Sequence, residues 1–554
     1  MKQFVQKNHR LLFYGGWLLL GLLQATLTEL QDDEAYYWVF SRYPAWGYFD
    51  HPPMTAMLVK AGYAIFPNEL GVRIFPLLLH VLSLYLVEQL TDKKQPLLFY
   101  TITLSLAALQ LTGFMAVPDV PLICFTAFFF LCYKKFLAQV SLLNTVLLGM
   151  AAALLLYSKY HAVLIIFFTL LSNWRLLARY QTWLAGLLAL ALFTPHLYWE
   201  YQHNWISFRY HLFESNVNPY KVEYSLSYLG GQLLLAGPVA GFILLPAAFL
   251  YKPVSPLLKA LKFTMIGIYA FFFLSSFRGK VEGNWTSPAL VPLIVLSYHF
   301  LLQKINWQRW LWKLLPVTLL LVVAARIIMI EDILPVRGIQ QRFHAWKKWP
   351  AEMRERTKGL PVVFSNSYQR ASKYWFYSGQ ITLSQNDAHG RRNNFNFWPL
   401  EQELIGKPVY FLDVYDLSRF NDSLKTPLGY IGYRYDSSFL CFGTVSFSPG
   451  NKNYSIRQGD SLLINCYTAL SYRQGMYISE SDSVPGVLKL IFFQKNKPVK
   501  DVVAVNPVKD IGAVDFTLRS LPALPKGDYT FRIAIQTPGY NPTPNSEKYK
   551  LKVE

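Results

Sequence analysis

Eleven apolar runs lie in the first 330 residues of this 554-residue chain, and they constrain the fold more than any other feature. A helix that crosses the hydrocarbon core of a bilayer needs about 20 mostly apolar residues. Residues 331–554 instead carry 29 Lys and Arg and 20 Asp and Glu, which is the charge density of a soluble protein. The sequence therefore predicts a polytopic membrane domain followed by a soluble region. We predict transmembrane helices at about 11–30, 70–90, 97–115, 120–136, 142–157, 161–173, 182–198, 227–250, 262–277, 287–303 and 313–330.

The charges in the loops predict how these helices are oriented. Lys and Arg collect in alternate loops, and cytoplasmic loops are the ones that carry such an excess. The loops in between hold most of the acidic residues. With the N-terminus in the cytoplasm, an odd number of spans places the soluble region outside, in the periplasm if the source is a Gram-negative bacterium. The predicted location is the inner membrane, crossed many times.

The soluble region divides into two parts by its pattern of strand-like runs. After the membrane domain, 1–330, residues 331–437 mix helical and strand-like segments, which predicts a small periplasmic α/β domain. Residues 438–554 alternate short strand-like runs with Gly, Pro and Asn turns, which is typical of a β-sandwich. Cys441 and Cys466 fall in strand-like segments and could form a disulfide in an extracytoplasmic domain, although their spacing does not decide it.

Several function classes have no visible machinery in this sequence. It contains no P-loop, no Rossmann glycine fingerprint, no HExxH motif and no cysteine metal cluster. A net charge of +20 would suggest nucleic acid as a partner of a soluble protein. Here much of the excess lies in loops between apolar runs, where it reports topology. We therefore expect membrane lipids as partners, and no nucleic acid.

An acidic cluster, Asp32, Asp33 and Glu34, directly follows the first apolar run. Acidic groups next to hydrocarbon are costly unless they face a watery cavity, so they usually mark function. We predict that Asp33 is a catalytic general base that takes a proton from an acceptor. Glu34 is predicted to bind substrate, and like-charge repulsion should raise the pKa of the neighbouring carboxyl groups. The alternative is a solvated helix start, where Asp and Glu are favoured.

The same predicted outer loop, residues 31–69, carries Asp50 and His51 before two prolines. Proline stiffens the backbone, so both side chains are held in place. Asp50 is a further catalytic candidate that could bind a metal ion or a sugar hydroxyl. His51 could bind the phosphate of a substrate or join Asp50 at a metal; no cofactor is certain, and a divalent metal ion is possible. The aromatic residues of the loop suit interfacial helices, and we predict that Tyr37 binds substrate.

Two more motifs fall in predicted outer loops. Asp119, in VPDVP, is a catalytic candidate, with a helix cap as the alternative. The motif SKYH contains Lys159 and Tyr160, which are predicted to bind substrate. A lipid phosphate is a natural partner for Lys159, the only cation in its turn. Snorkelling of this lysine to the headgroups is the alternative.

The segment FRGKVEGNWTSP forms another polar outer turn. Two cations beside an acid could hold a phosphate and position a sugar. A solvated loop is the alternative. The predicted substrate-binding residues of this turn are Arg278, Lys280, Glu282 and Asn284.

These motifs together resemble those of bacterial GT-C glycosyltransferases of the protein-mannosyltransferase and lipid A aminoarabinose transferase type. DDEAYYWVFSR and GYFDHPPM look like the first periplasmic loop of that family. MAVPDVPL, LLLYSKYHAVL, PHLYWEYQHNW and KVEGNWTSP look like its later motifs. The resemblance covers about residues 10–400 and does not explain the β-rich tail.

The resemblance implies a GT-C membrane fold and a sugar donor carried on polyprenyl phosphate, in bacteria undecaprenyl phosphate. It also implies that Asp33 is the catalytic carboxylate. Asp50 and His51 stand where the aminoarabinose transferase has a Glu-Lys pair, associated there with a metal and with donor phosphate, and the replacement leaves both roles open. Asp119 and Lys159 match the family's second acidic loop and a later basic position.

The predicted function is therefore an inverting glycosyltransferase at the periplasmic membrane face. It would move a sugar from a polyprenyl-phosphate donor to lipid A, a surface glycan or a protein. A protein O-mannosyltransferase-like enzyme is the alternative among enzymes. A transporter or flippase of a lipid-linked glycan is the alternative from another class, and it should show related halves and polar residues near the bilayer midplane. The sequence shows no obvious repeat, and its carboxylates lie at the ends of loops.

Overall fold

A computed structural model of the chain describes residues 2–215, 219–334, 336–469, 486–507 and 515–554. The chain divides into two compact units, Met1–His344 and Ala345–Glu554. Residues 216–218, which belong to the loop before the eighth predicted span, lie outside the described residues.

The first unit is a helical bundle. Its helices are α1 (Lys2–Leu27), α2 (Asp32–Arg42), α3 (Met54–Ile65), α4 (Glu69–Leu90), α5 (Pro96–Ser105), α6 (Ala107–Thr112), α7 (Asp119–Ala138), α8 (Leu142–Ser158), α9 (Ala162–Ser172), α10 (Tyr180–Gln202), α11 (Ile206–Arg209), α12 (Val222–Leu235), α13 (Gly241–Leu250), α14 (Pro256–Ser275), α15 (Leu290–Gln303), α16 (Ile305–Ile330) and α17 (Arg337–Phe343).

Apolar helices account for the predicted spans. Within the described ranges, six segments are long and apolar enough to cross a membrane: Gln6–Leu27, Glu69–Leu90, Asp119–Ala138, Pro256–Ser275, Gly283–Gln303 and Ile305–Ile330. The other five predicted spans coincide with α5–α6, α8, α9, α10 and α12–α13.

Two of the predicted spans are broken. The span at 97–115 is interrupted at Leu106, and the span at 227–250 is interrupted around Gly237. Gly237 has a φ of +107°, and a Cβ atom there would come within 2.4 Å of the backbone oxygen of Ser105. Glycine is required by both the conformation and the close approach. The two breaks therefore lie against each other.

The first predicted outer loop contains α2 and α3. Eight of the eleven residues of α2 are buried, including Tyr36, Tyr37 and Trp38. The ring of Phe40 stacks on that of Tyr48, with centroids 4.1 Å apart. The aromatic residues thus pack α2 into the protein, which differs from the expected interfacial helix.

The second unit has helices α18 (Trp349–Arg356), α19 (Tyr368–Ser378) and α20 (Leu400–Leu404). Its strands are β1 (Val362–Ser365), β2 (Thr382–Gln385), β3 (Val409–Asp413), β4 (Asp422–Thr426), β5 (Gly429–Asp436), β6 (Ser446–Pro449), β7 (Asn453–Ile456), β8 (Leu462–Ala469), β9 (Val487–Gln494), β10 (Lys497–Pro507), β11 (Asp515–Ser520), β12 (Gly527–Gln536), β13 (Thr543–Pro544) and β14 (Tyr549–Val553).

These strands form an α/β sheet followed by two sheets that share a core. The first sheet has the order β2-β1-β3-β5-β4, with β1 parallel to β2 and β3. The other sheets have the orders β10-β9-β12-β14-β7 and β11-β8-β6. Phe447 and Ile464 of the smaller sheet pack in one cluster with Leu490 and Phe531 of the larger. The α/β unit and the β-sandwich of the predicted fold are both present, and Cys441 and Cys466 are buried free thiols.

Candidate active site

A fully buried ion pair between Glu34 and Arg73 fixes the start of α2. Neither side chain has exposed surface, and Arg73 Nη2 lies 2.6 Å from Glu34 Oε2. Arg73 Nε donates to Glu34 Oε1 at 2.7 Å, and its terminal nitrogens donate to the backbone oxygens of Ala25, Thr28 and Glu29. These carbonyls lie near the C-terminal end of α1. The guanidinium therefore joins α4 to the end of α1 and to the first turn of α2.

The surroundings of Glu34 differ from the sequence-based expectation. Its carboxylate also accepts the backbone N–H groups of Gln31 and Ala116, each at 2.9 Å. Burial alone would raise the pKa of this carboxyl, but the Arg73 guanidinium and these donors hold the pKa below its usual value. The expected upward shift in pKa is wrong for Glu34. Hydrogen-bond donors of the protein thus surround the carboxylate of Glu34, which was predicted to bind substrate.

Asp33 lies on the exposed side of the same helical turn. Its side chain is exposed, and that of Asp32 is partly exposed. Consecutive residues of a helix point about 100° apart, so Glu34 is buried while Asp33 faces outward. The residue predicted as the general base thus carries an accessible carboxylate on a firmly held turn.

Three predicted site residues meet at Asp119. Lys159 Nζ lies 2.8 Å from Asp119 Oδ1, and Asn284 Nδ2 donates to Oδ2 at 2.9 Å. Ser287 Oγ donates to Oδ1 at 2.6 Å. Asp119 and Lys159 are 7% and 5% exposed. The cluster joins the start of α7, the end of α8 and the 3₁₀ turn Gly283–Ala289, and the charge of Lys159 is balanced there by a carboxylate.

Asp50 and His51 lie near the π-helical turn Tyr210–Glu214, which follows α11. His211 Nε2 donates to the backbone oxygen of Asp50 at 3.0 Å. The ring of Tyr37 meets that of His51 edge-on, with centroids 5.5 Å apart. Burial lowers the pKa of His211 to about 4, so this ring is neutral near pH 7. Asp50 itself is 7% exposed.

Tyr160 links this region to α10. Its hydroxyl donates to Glu200 Oε1 at 3.1 Å and lies 3.2 Å from His196 Nε2. Its ring centroid is 5.2 Å from that of His211. His211 therefore contacts both Asp50 and Tyr160, and it brings the first outer loop and the SKYH motif together.

The other predicted cations lie on an exposed turn after α14. Lys280 Nζ pairs with Glu282 Oε1 at 2.9 Å, and these side chains are 61% and 55% exposed. Arg278 is also exposed, and its guanidinium reaches the backbone oxygen of Leu212 at 3.5 Å. The structure thus places Asn284 of this motif at Asp119 and leaves Arg278, Lys280 and Glu282 at the surface.

Sequence reasoning did not single out Arg73, Ser287 or His211. Arg73 carried a signal, because it is a cation at the predicted outer end of a span, against the trend of the loop charges. Ser287 and His211 carried none, since polar residues are ordinary in outer loops. Their roles follow from packing between segments distant in sequence.

Asp50 and His51 do not form a complete set of metal ligands. Among the residues that the structure describes, no group of three or more His, Cys, Asp or Glu side chains is placed to hold a metal ion. Resident zinc ions use at least three protein ligands, so these two side chains do not make a zinc site. A magnesium ion is commonly held by one or two carboxylates together with substrate phosphates, and Asp50 could supply such a carboxylate.

Comparison with known proteins relates the chain to glycosyltransferases. Residues 50–199 match the model of the family described as dolichyl-phosphate-mannose-protein mannosyltransferase. Among crystal structures, ArnT from Cupriavidus metallidurans in the apo state is similar, with 13% identity and a TM-score of 0.57 over 77% of this chain and 98% of that chain. ArnT bound to undecaprenyl phosphate gives 14% identity and a TM-score of 0.54 over 76% and 97%. Comparison with curated proteins gives no match.

These similarities establish the fold. The first unit has the GT-C membrane fold that the sequence motifs predicted, and a soluble strand-rich unit follows it. The arabinosyltransferase EmbB from Mycobacterium smegmatis is also similar, with 11% identity over 96% of this chain and 64% of that chain. Its TM-score of 0.35 is too low to support an argument. The region that matches the family model contains Asp50, Asp119 and Lys159, whereas Asp33 precedes it.

Proposed function

We propose that this protein is an inverting glycosyltransferase that moves a sugar from a polyprenyl-phosphate donor to an acceptor at the outer face of the inner membrane. The observation that carries the proposal is the exposed carboxylate of Asp33 on a turn fixed by the buried Glu34–Arg73 pair. A fold similar to ArnT, which has been crystallised with undecaprenyl phosphate, supports a lipid-phosphate donor.

Asp33 is proposed as the base of the reaction. The acceptor hydroxyl or amine gives its proton to this carboxylate as its oxygen or nitrogen attacks the anomeric carbon. The bond from that carbon to the phosphate oxygen breaks, and polyprenyl phosphate leaves with the electron pair. Attack opposite the leaving group inverts the anomeric centre. No protein acid is needed, because phosphate is already a good leaving group.

The cations near the outer surface are proposed to stabilise the leaving phosphate. Arg278 and Lys280 have exposed side chains that can reach a charged lipid headgroup. Lys159 is held by Asp119, so it acts on the donor as part of that pair. Hydrogen bonds between charged groups contribute about 1.5–3 kcal/mol each.

The proposed acceptor is lipid A, a surface glycan or a protein. The description of the matching family names a protein acceptor, and this favours a protein O-mannosyltransferase-like reaction as the second candidate. The geometry of Asp33 serves either acceptor, since both present a hydroxyl or amine to a base.

Loss of the Asp33 carboxylate tests this function. Full-length protein in detergent is incubated with synthetic undecaprenyl-phosphate sugars and a panel of lipid, glycan and peptide acceptors, and released undecaprenyl phosphate is measured. Asp33→Asn keeps the shape and removes the base, so turnover should fall about 10²-fold or more while donor binding persists.

Asp32→Asn is the matched control, because it removes a carboxylate one position earlier on the same turn. We expect a milder loss from it, since its side chain points about 100° away from that of Asp33. Near-normal turnover of Asp33→Asn beside an inactive Asp32→Asn or Asp50→Asn would assign the base to another residue. Absence of product with every donor would overturn the function itself.

A further inference from the structure

The first sheet of the soluble unit has a topological switch point at the carboxyl ends of β1 and β3. From β1 the chain passes through α19 to β2 on one side, and then through α20 to β3 on the other side of β1. Where connections leave neighbouring parallel strands in opposite directions, a crevice opens beyond their carboxyl ends, and ligands of α/β sheets bind in such crevices. Here this edge is formed by Ser365 of β1 and Asp413 of β3, and Asn541 packs on Ser365 there.

Three segments at this edge supply two arginine–tyrosine pairs. Arg370 of α19 donates from Nη1 to the hydroxyl of Tyr415, which follows β3, at 3.0 Å. Arg391, which follows β2, donates from Nη2 to the hydroxyl of Tyr368 at 3.1 Å. Each guanidinium also covers its partner ring, with Cζ 5.5 Å and 5.3 Å from the ring centroid. We call these four residues the edge surface.

The edge surface is accessible. Tyr415 is 63% exposed, and Arg391 is exposed. Arg370 and Tyr368 are partly buried, so their stems are packed while their ends reach the surface. A ligand can therefore contact the guanidinium groups and the exposed ring of Tyr415 together.

A buried polar network holds the segments that carry the edge surface. Asn541 Nδ2 donates to Ser365 Oγ at 2.7 Å, and Gln385 Nε2 donates to the backbone oxygen of Asn541 at 2.7 Å. Arg419 Nη1 donates to Asn541 Oδ1 at 2.9 Å. The network joins the ends of β1 and β2 to the segment after β3. Binding groups on segments fixed in this way lose little freedom when a ligand binds.

The chemistry of the edge surface matches one class of ligand. A guanidinium presents a planar fork of donors that fits a carboxylate or phosphate group. An exposed tyrosine offers an apolar ring face beside a polar hydroxyl, which suits the alternating C–H and O–H groups of a pyranose ring. From these properties we propose that the edge surface binds acidic saccharides, those whose rings carry carboxylate or phosphate groups. This site belongs to the soluble unit, and the proposal does not depend on the proposed reaction.

Binding of a defined acidic oligosaccharide tests the proposal. The probes are a galacturonic acid tetramer, a neutral galactose tetramer and inorganic phosphate, each titrated by calorimetry into full-length protein in detergent without donor. The acidic tetramer should bind at least about tenfold more tightly than either other probe, because charged hydrogen bonds and ring contacts act together. Arg370→Gln and Tyr415→Ala should each weaken its binding about tenfold or more.

The chain offers a matched control in a further arginine–tyrosine pair. Arg356 of α18 donates from Nη1 to the hydroxyl of Tyr433 of β5 at 3.2 Å, and neither residue belongs to the edge surface. Arg356→Gln should leave binding of the tetramer unchanged. Equal weakening by Arg356→Gln and Arg370→Gln would overturn the proposal, and so would tight binding of the neutral tetramer.

The remaining outcomes are equally decisive. If phosphate alone bound as tightly as the acidic tetramer, the site would be a simple anion site and the saccharide proposal would fail. If Arg370→Gln did not fold, Arg370→Lys would replace it; this variant keeps the charge and loses the fork, so unchanged binding would overturn the proposal. Asp33→Asn should keep full tetramer binding, which separates a failure here from a failure of the proposed reaction.

Discussion

His389 is held between two carboxylates in the soluble unit, and this makes a part of the molecule sensitive to pH. Its Nδ1 lies 2.6 Å from Asp387 Oδ1, and its Nε2 lies 2.9 Å from Asp501 Oδ1 on β10. The hydrogen bond to Asp387, against the effect of burial and with help from Asp501, raises the pKa of His389 from 6.5 to about 9. A raised pKa means that the folded state binds the proton more tightly than the unfolded state does.

The stabilisation by His389 should be complete below pH 6.5 and lost as the pH rises through about 9. Hydrogen exchange of the β10 amides in the full-length protein should therefore become faster over this range, after correction for the intrinsic rate. In His389→Gln, the exchange of the β10 amides should no longer depend on pH in this range and should be fast throughout it.

Glu401 supplies a control with a different pH window. Burial raises the pKa of its carboxyl from 4.5 to about 7. The folded state therefore favours the protonated carboxyl, and this contribution to stability is lost as the pH rises from 4.5 through about 7. In Glu401→Gln, the exchange rate should change less with pH below pH 7. The loss of stability between pH 6.5 and 9, which is due to His389, should remain. If His389→Gln kept the full dependence above pH 7, another group would be responsible for it.

Among the helices, the Glu34–Arg73 pair is the contact whose loss should be most damaging. Glu34→Gln leaves the Arg73 charge buried without its counter-charge, which costs about 3–5 kcal/mol. Thermal unfolding of the detergent-solubilised protein should occur at clearly lower temperature, and turnover should fall because the Asp33 turn is no longer fixed. The double variant Glu34→Gln with Arg73→Gln should lose less than the sum of the single variants.

Glu223→Gln is a suitable reference, since Glu223 is an exposed acid in the first turn of α12. It should leave the unfolding temperature close to that of the wild type, because surface charges contribute little. Equal unfolding temperatures for Glu34→Gln and Glu223→Gln would show that the buried pair does not stabilise the bundle.

The helices were largely predictable from the sequence, and their breaks were not. Apolar runs of suitable length predicted the spans because the bilayer requires such runs. Nothing in the local sequence marks Leu106 as a break. Gly237 is required because it approaches Ser105, which lies 132 residues earlier in the chain. Apolar composition cannot reveal a close approach between two helices, because that is a property of their packing.

The candidate site shows the same division. Asp119, Lys159 and Asn284 were each recognised as unusual polar residues in outer loops, but their meeting at one point is a tertiary contact. From the sequence, each of the three acidic residues Asp32, Asp33 and Glu34 could equally be buried or exposed. Only the position of Arg73 on α4 decides that Glu34 is the buried one.

At the scale of the whole molecule, the predicted topology places the soluble unit and the Asp33 loop on the same, outer side of the membrane. The loop charges predict this orientation. Alkaline phosphatase, which is active only outside the cytoplasm, should therefore be active when fused after His344 and silent when fused after Lys94, in the turn between α4 and α5.

Green fluorescent protein fused at the same two positions gives the reciprocal readout, because it fluoresces on the cytoplasmic side. We expect fluorescence after Lys94 and none after His344. The reverse pattern in both reporters would invert the topology and separate the proposed active site from a periplasmic acceptor.

The two broken helices have a consequence for biosynthesis. At membrane depth, irregular backbone is tolerated only where protein covers it, and the break at Leu106 is covered by the segment around Gly237. When α5 and α6 leave the ribosome, that segment has not yet been made. The nascent chain must hold this part of the bundle in a provisional state, as an uninterrupted helix or shielded by another protein, until α12 and α13 arrive. Final assembly of this part of the bundle therefore waits until the segment around Gly237 has been synthesised.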